Sequence, residues 1–140
     1  MDLAKIQEMW AKDSVIDDVM LDKASLAIPQ LHQKYLAILS NYKLLQKKKY
    51  FELKKLRHHK TLWYGGKLPP EEYDAPFQYK VMKGDIPGWV EIDEQVQKVE
   101  LQLELYNETI DTLNEIIKQI HQMSYNIKNA IQWRTFTNGI

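Results

Sequence analysis

The chain has 140 residues, which is enough for one domain. Nineteen Lys and Arg residues balance nineteen Asp and Glu residues, so the formal net charge is zero and a strongly basic DNA-coating protein is excluded. The absence of Cys excludes disulfides, thiol catalysis and Cys-ligated metals. Charged residues interrupt the N-terminus and no run approaches ~18 apolar residues, so we expect a soluble protein without a signal peptide or membrane span.

The spacing of the apolar residues predicts a single, mainly α-helical domain. Its predicted helices are a short amphipathic helix over residues 2–11 and two long helices of antiparallel type, over about 20–64 and about 93–135. A heptad pattern begins at Leu21, and Pro29 either kinks this first long helix or begins it. Gly65 and Gly66 are expected to end it, because glycine readily adopts a left-handed cap.

A loop and a small β-hairpin are predicted between the long helices, over about residues 67–92. Residues 77–82 alternate between large apolar and mostly polar side chains, which is typical of a short strand. Residues 86–90 are expected to return as an edge strand, because Pro87 cannot donate to a central ladder. Asp93 is the predicted N-cap of the second long helix.

The second long helix carries the most regular apolar seam in the chain. Its apolar residues recur at steps of three and four, and only Ser124 interrupts the pattern. The positions assigned to oligomerisation are Val96, Val99, Leu103, Tyr106, Ile110, Leu113, Ile117, Ile120, Ile127 and Ile131. A weaker second stripe of Leu101, Leu105 and Ile116 indicates that the helix needs more than one partner. We therefore expect a ring-forming homo-oligomer, since closure of a ring removes exposed stripes.

The zero net charge hides a strongly basic block over residues 34–67. This block holds ten Lys and Arg residues against Glu52 alone, a net charge of +9, and aromatic residues lie within it. Basic side chains can follow a phosphate backbone while aromatic faces stack on unpaired bases. The alternatives are a solvated helix face paired with acidic residues on a neighbouring helix, or a surface for an acidic protein.

No arrangement in the sequence indicates an enzyme, a cofactor or a metal site. His58 and His59 are adjacent and point about 100° apart on a helix, so their imidazoles do not converge on a metal. The Gly-Gly-Lys of residues 65–67 lacks the preceding strand and the remaining residues of a phosphate-binding loop. The sequence shows no Ser-His-Asp arrangement of the kind that nucleophilic catalysis uses.

Three groups of residues, in a fixed order along the chain, carry a resemblance to a known family. They are Leu3 to Glu8, Lys12, Asp13, Ile16, Asp17 and Leu21 near the start, Lys34 to Leu36 and Trp63 to Gly66 in the middle, and Ile127, Lys128, Ile131, Gln132, Arg134, Phe136 and Gly139 at the end. These residues resemble the UvsY family, the recombination mediators of T4-like phages. The order and spacing of the three groups are more specific than any single motif.

The resemblance implies a non-enzymatic mediator that binds single-stranded DNA without sequence preference. It implies that the protein helps a RecA-like phage recombinase to load onto DNA covered by the phage single-strand-binding protein, in the host cytoplasm and away from membranes. It also implies a closed ring of about six to eight identical subunits. The alternative function is a structural coiled-coil adaptor whose basic block contacts an acidic protein.

The family's DNA-binding motif, two basic residues spaced by one residue before an aromatic pair, falls on residues 54–67 of the basic block. His58 and Lys60 occupy the two basic places, and His58 is a departure because a mostly neutral imidazole is a weak phosphate partner. Lys55 and Arg57 are close enough to compensate. The predicted DNA contacts are Lys47, Lys48, Lys49, Lys54, Lys55, Arg57, His58, Lys60 and Lys67, with Trp63 and Tyr64 stacking on bases.

Overall fold

The computed structural model describes residues 1–139, and this part of the chain contains helices and no strand. Its elements are α1 (Leu3–Asp13), α2 (Leu21–Tyr64), α3 (Ile86–Glu91) and α4 (Glu94–Thr137), with short 3₁₀ turns at Pro70–Glu72 and Lys83–Asp85. The two long helices have 44 residues each. Among the helices of residues 1–139, none combines the length and apolar character that a membrane span requires.

Helix α2 runs through Pro29 and stops at a glycine cap. It begins at Leu21, so Pro29 lies inside the helix rather than at its start. At the other end the Lys67 N–H donates to the Leu62 carbonyl (2.8 Å) and the Gly66 N–H to the Trp63 carbonyl (3.2 Å). Gly66 has a φ of +70°, so this cap requires the left-handed conformation that glycine adopts without strain. The prediction that the glycine pair ends the helix is confirmed.

The predicted fold is wrong in one element, because no β-hairpin forms over the described residues 67–92. Residues 86–91 form α3 instead, with Pro87 in its first turn, where the missing N–H costs no helical hydrogen bond. Residues 77–82 therefore have no neighbouring strand. Their alternation predicted an extended strand, but the backbone bends at residues 78 and 79. A strand also needs a partner with free ladder donors, which a helix does not offer.

The chain divides into two compact units, which are described separately. Unit 1 comprises Met1–Lys43 and the described residues from Asn107 onward, and unit 2 comprises Leu44–Tyr106. Unit 1 is built around Tyr35, which is fully buried and meets Trp10 of α1 edge to face, with ring centroids 5.6 Å apart. The other buried apolar residues of unit 1 are Ile6, Leu21, Leu39, Tyr42, Ile110, Leu113, Ile116, Ile120 and Ile127.

Unit 2 has its own apolar cluster, in which both long helices and α3 take part. Its buried members are Leu53, Tyr64, Val90, Val96 and Val99, and Leu56, Trp63, Phe77, Ile86 and Leu103 pack against them. Helix α4 begins beside this cluster. The Asp93 carboxylate accepts the Gln95 and Val96 N–H groups (2.9 and 3.1 Å), which confirms the predicted N-cap.

Most residues in the apolar seam of α4 are buried by packing within the single chain. Of the positions assigned to oligomerisation, Val96, Val99, Ile110, Leu113, Ile120 and Ile127 are buried, Leu103, Tyr106 and Ile117 are half-buried, and Ile131 is exposed. In the second stripe, Ile116 is buried whereas Leu101 and Leu105 are exposed. The apolar surface that α4 offers outward is therefore smaller than the sequence pattern suggested.

Candidate nucleic-acid interface

The basic segment of α2 presents one face to solvent and another to the core of unit 2. Lys47, Lys48, Lys54, Lys55 and His58 are exposed, and at 100° per residue they fall within about 120° of the helix circumference. We call this set the lysine face. None of its four lysines forms an ion pair with a carboxylate among residues 1–139, so their charges face solvent. Lys67, just beyond the helix end, is also exposed.

The other three basic residues of this segment are engaged within unit 2. Lys49 pairs with Glu52 (2.9 Å) and donates to the Gln102 amide oxygen (3.0 Å). Arg57 pairs with Glu100 of α4. Lys60 lies 3.3 Å from the Asp93 carboxylate, and its side chain is only 13% exposed. The sequence-predicted set thus divides into residues without an ion-pair partner and residues that contact α4 or its cap, and of the latter only Arg57 remains half exposed.

A groove lies along the part of the lysine face formed by Lys54, Lys55 and His58, and apolar side chains contribute to its lining. Its volume is about 650 Å³, and its lining residues are Phe51, Lys54, Lys55, His58, His59, Leu62, Leu68 and Glu72. Phe51 is about half exposed, and the Lys47 ammonium lies 5.2 Å from the centre of its ring. A groove of this kind offers cations to a phosphate backbone and an aromatic surface to a base.

Asp93 is the polar centre of unit 2, since it joins the end of α2 to the start of α4. Besides its two backbone donors, it accepts the Tyr64 hydroxyl (2.8 Å) and pairs with Lys60. Burial alone would raise the pKa of Asp93, but the hydrogen bonds from Tyr64, Val96 and Lys60 hold that pKa below its ordinary value. Burial and the Asp93 carboxylate raise the pKa of Tyr64 to about 12. Lys60 therefore has a structural partner that the sequence did not reveal.

Trp63 and Tyr64, the aromatic pair expected to stack on bases, lie beside Lys60 and Asp93. Tyr64 is buried, with 8% of its surface exposed, and its ring contacts Phe77 edge to face. Trp63 is half-buried, and its indole N–H donates to the Ala75 carbonyl (2.8 Å). Lys60 lies over the Trp63 ring at 5.1 Å. These contacts favour a structural role for Tyr64 and leave Trp63 only partly accessible.

Sequence reasoning missed part of the groove. Phe51 and Leu62 belong to the same helix face as Lys55 and His58, because they follow one another at steps of three and four residues. That spacing was legible in the sequence and could have placed Phe51 among the ligand contacts. Leu68 could not have been found in this way, because it reaches the groove only through the turn that follows α2.

Metal ligands do not cluster in the described part of the chain. Residues 1–139 hold no group of three or more His, Cys, Asp or Glu side chains that could bind a metal ion. The groove offers two lysines, two imidazoles, the carboxylate of Glu72 and apolar surfaces.

Solved structures with the same fold come from bacteriophage T4. The T4 recombination mediator protein UvsY in lattice type II is 22% identical, with a TM-score of 0.89 over 99% of this chain and 98% of that chain. The same protein in lattice type IV is 21% identical, with a TM-score of 0.89 over 97% of this chain and 99% of that chain. At such identities the likeness establishes the fold alone.

Two sequence comparisons were informative, one with curated proteins and one with models of protein families. The comparison with curated protein sequences gives no significant match. A family model described as "Recombination, repair and ssDNA binding protein UvsY" matches residues 9–140, which is most of the chain. The chain therefore belongs to the UvsY family.

Proposed function

We propose that this protein is a recombination mediator that binds single-stranded DNA without sequence preference. Its membership of the UvsY family supports a mediator role. The observation that carries the DNA-binding part is the lysine face, whose four lysines are exposed and have no carboxylate partner among residues 1–139. Four unpaired cations on one helix face attract a polyanion, and each phosphate they neutralise releases counterions.

The shape of the groove favours a single strand over a duplex. Phe51 lies among Lys54 and Lys55, so one surface can meet both the phosphates and an unstacked base. In a duplex the bases are stacked on each other, and their faces are not available to an aromatic ring. Every base has a stacking face, so binding of this kind is tolerant of sequence.

We propose further that the protein acts as a homo-oligomer. Exposed apolar side chains on α4 support self-association, namely Leu101 in unit 2 and Ile131, Trp133 and Phe136 near the end of the helix in unit 1. A ring would repeat the lysine face around its circumference and present a strand with a continuous path of cations. Loading of a RecA-like recombinase onto DNA covered by single-strand-binding protein would then use this DNA-bound ring.

Fluorescence anisotropy of labelled oligo-dT, with a duplex of the same length as control, tests the DNA-binding proposal. We expect tight binding of the single strand at low salt, weaker binding of the duplex and a steep loss of affinity as salt rises. Affinity that barely changes with salt would contradict the proposed mechanism. Absence of binding at low salt would favour the adaptor alternative, in which the lysine face contacts an acidic protein.

A second experiment tests the mediator role itself. DNA-dependent ATP hydrolysis by the phage recombinase, measured on DNA already covered by single-strand-binding protein, should rise when this protein is added. The Lys54→Ala/Lys55→Ala variant should lose that effect while its oligomer mass in sedimentation stays unchanged. Stimulation that survives in this variant would contradict a role for the lysine face in loading.

A further inference from the structure

We infer that Tyr79 and Trp89, in the segment between the long helices, form a second subsite that stacks on an unpaired base of bound single-stranded DNA. This inference deepens the proposed function and rests on it. The two rings are nearly parallel, with an interplanar angle of 19° and centroids 6.5 Å apart. Parallel rings at this separation are already an offset stack, and a planar base can extend such a stack on its open side.

Both rings are accessible, unlike the rest of the aromatic cluster. Tyr79 is 67% exposed and Trp89 is 36% exposed. Phe77 contacts both of them, at centroid distances of 5.7 and 5.3 Å, and it is itself half-buried against the core of unit 2. The cluster thus has an inner part that supports α4 and an outer part that presents aromatic surface to solvent.

The subsite is continuous with the basic segment of α2 through ring contacts. Trp63 meets Phe77 at 5.2 Å between centroids, and Phe77 meets Tyr79 and Trp89. Trp63 also carries Lys60 over its ring. These ring contacts connect the exposed pair to the end of α2, the helix that carries the lysine face, within unit 2.

The charge around the pair indicates that it recognises a base rather than a phosphate. Residues 77–92 contain Lys80 and Lys83 against Asp85 and Glu91, so their net charge is zero. All four side chains are exposed. Without a surplus of cations the subsite has little attraction for a polyanion on its own, and its contribution comes from stacking.

The test compares two substitutions at Tyr79 on two probes. Tyr79→Leu removes the aromatic face and Tyr79→Phe keeps it, and the probes are oligo-dT and an abasic oligonucleotide of equal length and charge. We expect Tyr79→Leu to weaken oligo-dT binding by about five- to 150-fold, the range expected for loss of one stacked base. Its affinity for the abasic probe should stay as in the wild type, and Tyr79→Phe should bind both probes like the wild type.

The salt dependence separates stacking from charge. The slope of log affinity against log salt should be the same in Tyr79→Leu and the wild type, because no phosphate contact is lost. Tyr125→Leu is the matched control, since Tyr125 is 64% exposed on α4 in unit 1, and it should leave affinity unchanged. Circular dichroism checks that each variant is folded.

Tryptophan emission gives a second readout at the same subsite. Oligo-dT should quench the emission of the wild type, and most of that quenching should disappear in Trp89→Phe but persist in Trp133→Phe. Wild-type affinity of Tyr79→Leu for oligo-dT, or an equal loss on the abasic probe, would overturn the inference while leaving the proposed function standing. Failure of the wild type to bind oligo-dT would overturn the proposed function and this inference together.

Discussion

Units 1 and 2 each contain an aspartate that contacts a lysine and a tyrosine of α2. The two aspartates differ in how far their carboxylates are buried. In unit 1, Asp13 at the end of α1 accepts the Lys34 ammonium (2.6 Å) and the Tyr35 hydroxyl (2.8 Å). In unit 2, Asp93 accepts the Tyr64 hydroxyl (2.8 Å) and pairs with Lys60 (3.3 Å). In both units the Lys and Tyr come from α2.

The two carboxylates differ in burial and in their additional duties. The Asp13 side chain is 26% exposed, whereas that of Asp93 is 7% exposed. Asp93 also caps α4 by accepting two backbone N–H groups. A capping carboxylate at a helix N-terminus interacts favourably with the helix dipole. In unit 2 one aspartate therefore serves both a buried ion pair and the start of α4, while unit 1 uses its aspartate for a more exposed contact.

The largest expected effect is that of Asp93→Ala. This substitution removes the α4 cap and leaves the hydroxyl of Tyr64 and the ammonium of Lys60 without their partner, so we expect a loss of about 3 kcal/mol in the free energy of unfolding. Urea denaturation followed by circular dichroism measures this loss. Asp93→Asn keeps a capping oxygen and should lose less. A change below about 0.5 kcal/mol in Asp93→Ala, the usual size of a surface substitution, would contradict the structural role.

Asp13→Ala should be milder, because Asp13 is more exposed and caps no helix. Tyr35 is fully buried, however, and its hydroxyl would lose its acceptor, so we expect a loss of about 1 to 2 kcal/mol. Urea denaturation gives the value. Asp111→Ala, at an exposed position of α4 in unit 1, is the control and should change stability by less than about 0.5 kcal/mol. A greater loss in Asp13→Ala than in Asp93→Ala would reverse the comparison.

Acid should lower the free energy of unfolding of both units, because each contains a carboxylate with a lowered pKa. Despite the opposing effect of burial, hydrogen bonds from Lys34 and Tyr35 hold the pKa of Asp13 below its ordinary value, as those from Tyr64, Val96 and Lys60 do for Asp93. A lowered folded-state pKa gives stability that is present above the unfolded-state value of about 3.9 and is lost as pH falls through the folded value. Asp93→Asn and Asp13→Asn should each flatten the fall in unfolding free energy below about pH 4. An unchanged acid profile in both variants would exclude these two groups as its source.

Alkali should act on unit 2 through Tyr64. Burial and Asp93 raise the pKa of Tyr64 to about 12, so its stabilising effect is complete below the unfolded value of about 10 and is lost as pH rises towards 12. Tyr64→Phe should therefore lose about 1 kcal/mol or less at neutral pH and show a shallower decline above about pH 10. Thermal unfolding at several alkaline pH values measures this. Because Tyr64 is buried, the same variant should bind oligo-dT as the wild type does.

Local signals in the sequence predicted local structure well. Asp93 and Gly66 were recognisable as caps because each acts on backbone groups within a few residues of itself. The hairpin prediction failed for the opposite reason, since a strand needs a partner elsewhere in the chain, and the alternation in residues 77–82 does not specify one. Pro87 fits the first turn of a helix as well as a sheet edge, and tertiary packing decided between them.

The site was predictable in outline and not in detail. The basic block identified the segment of α2, but its helical periodicity alone could not show that Lys60 pairs with Asp93, 33 positions further along the chain. The same limit applies to Arg57, whose partner Glu100 lies on α4. The lysine face consists of residues of the block that these long-range contacts do not engage, and only the folded chain specifies those contacts.

The central claim is that the unpaired cations of unit 2, and not basic residues in general, bind single-stranded DNA. The most direct test measures oligo-dT affinity across a salt series for the wild type, Lys54→Ala/Lys55→Ala in unit 2, and Lys23→Ala/Lys128→Ala at exposed positions of unit 1. Both variants remove two charges. We expect weaker binding and a log–log salt slope shallower by roughly 1.4 for the unit 2 variant, with an unchanged slope for the unit 1 variant. Equal losses in the two variants would contradict this claim.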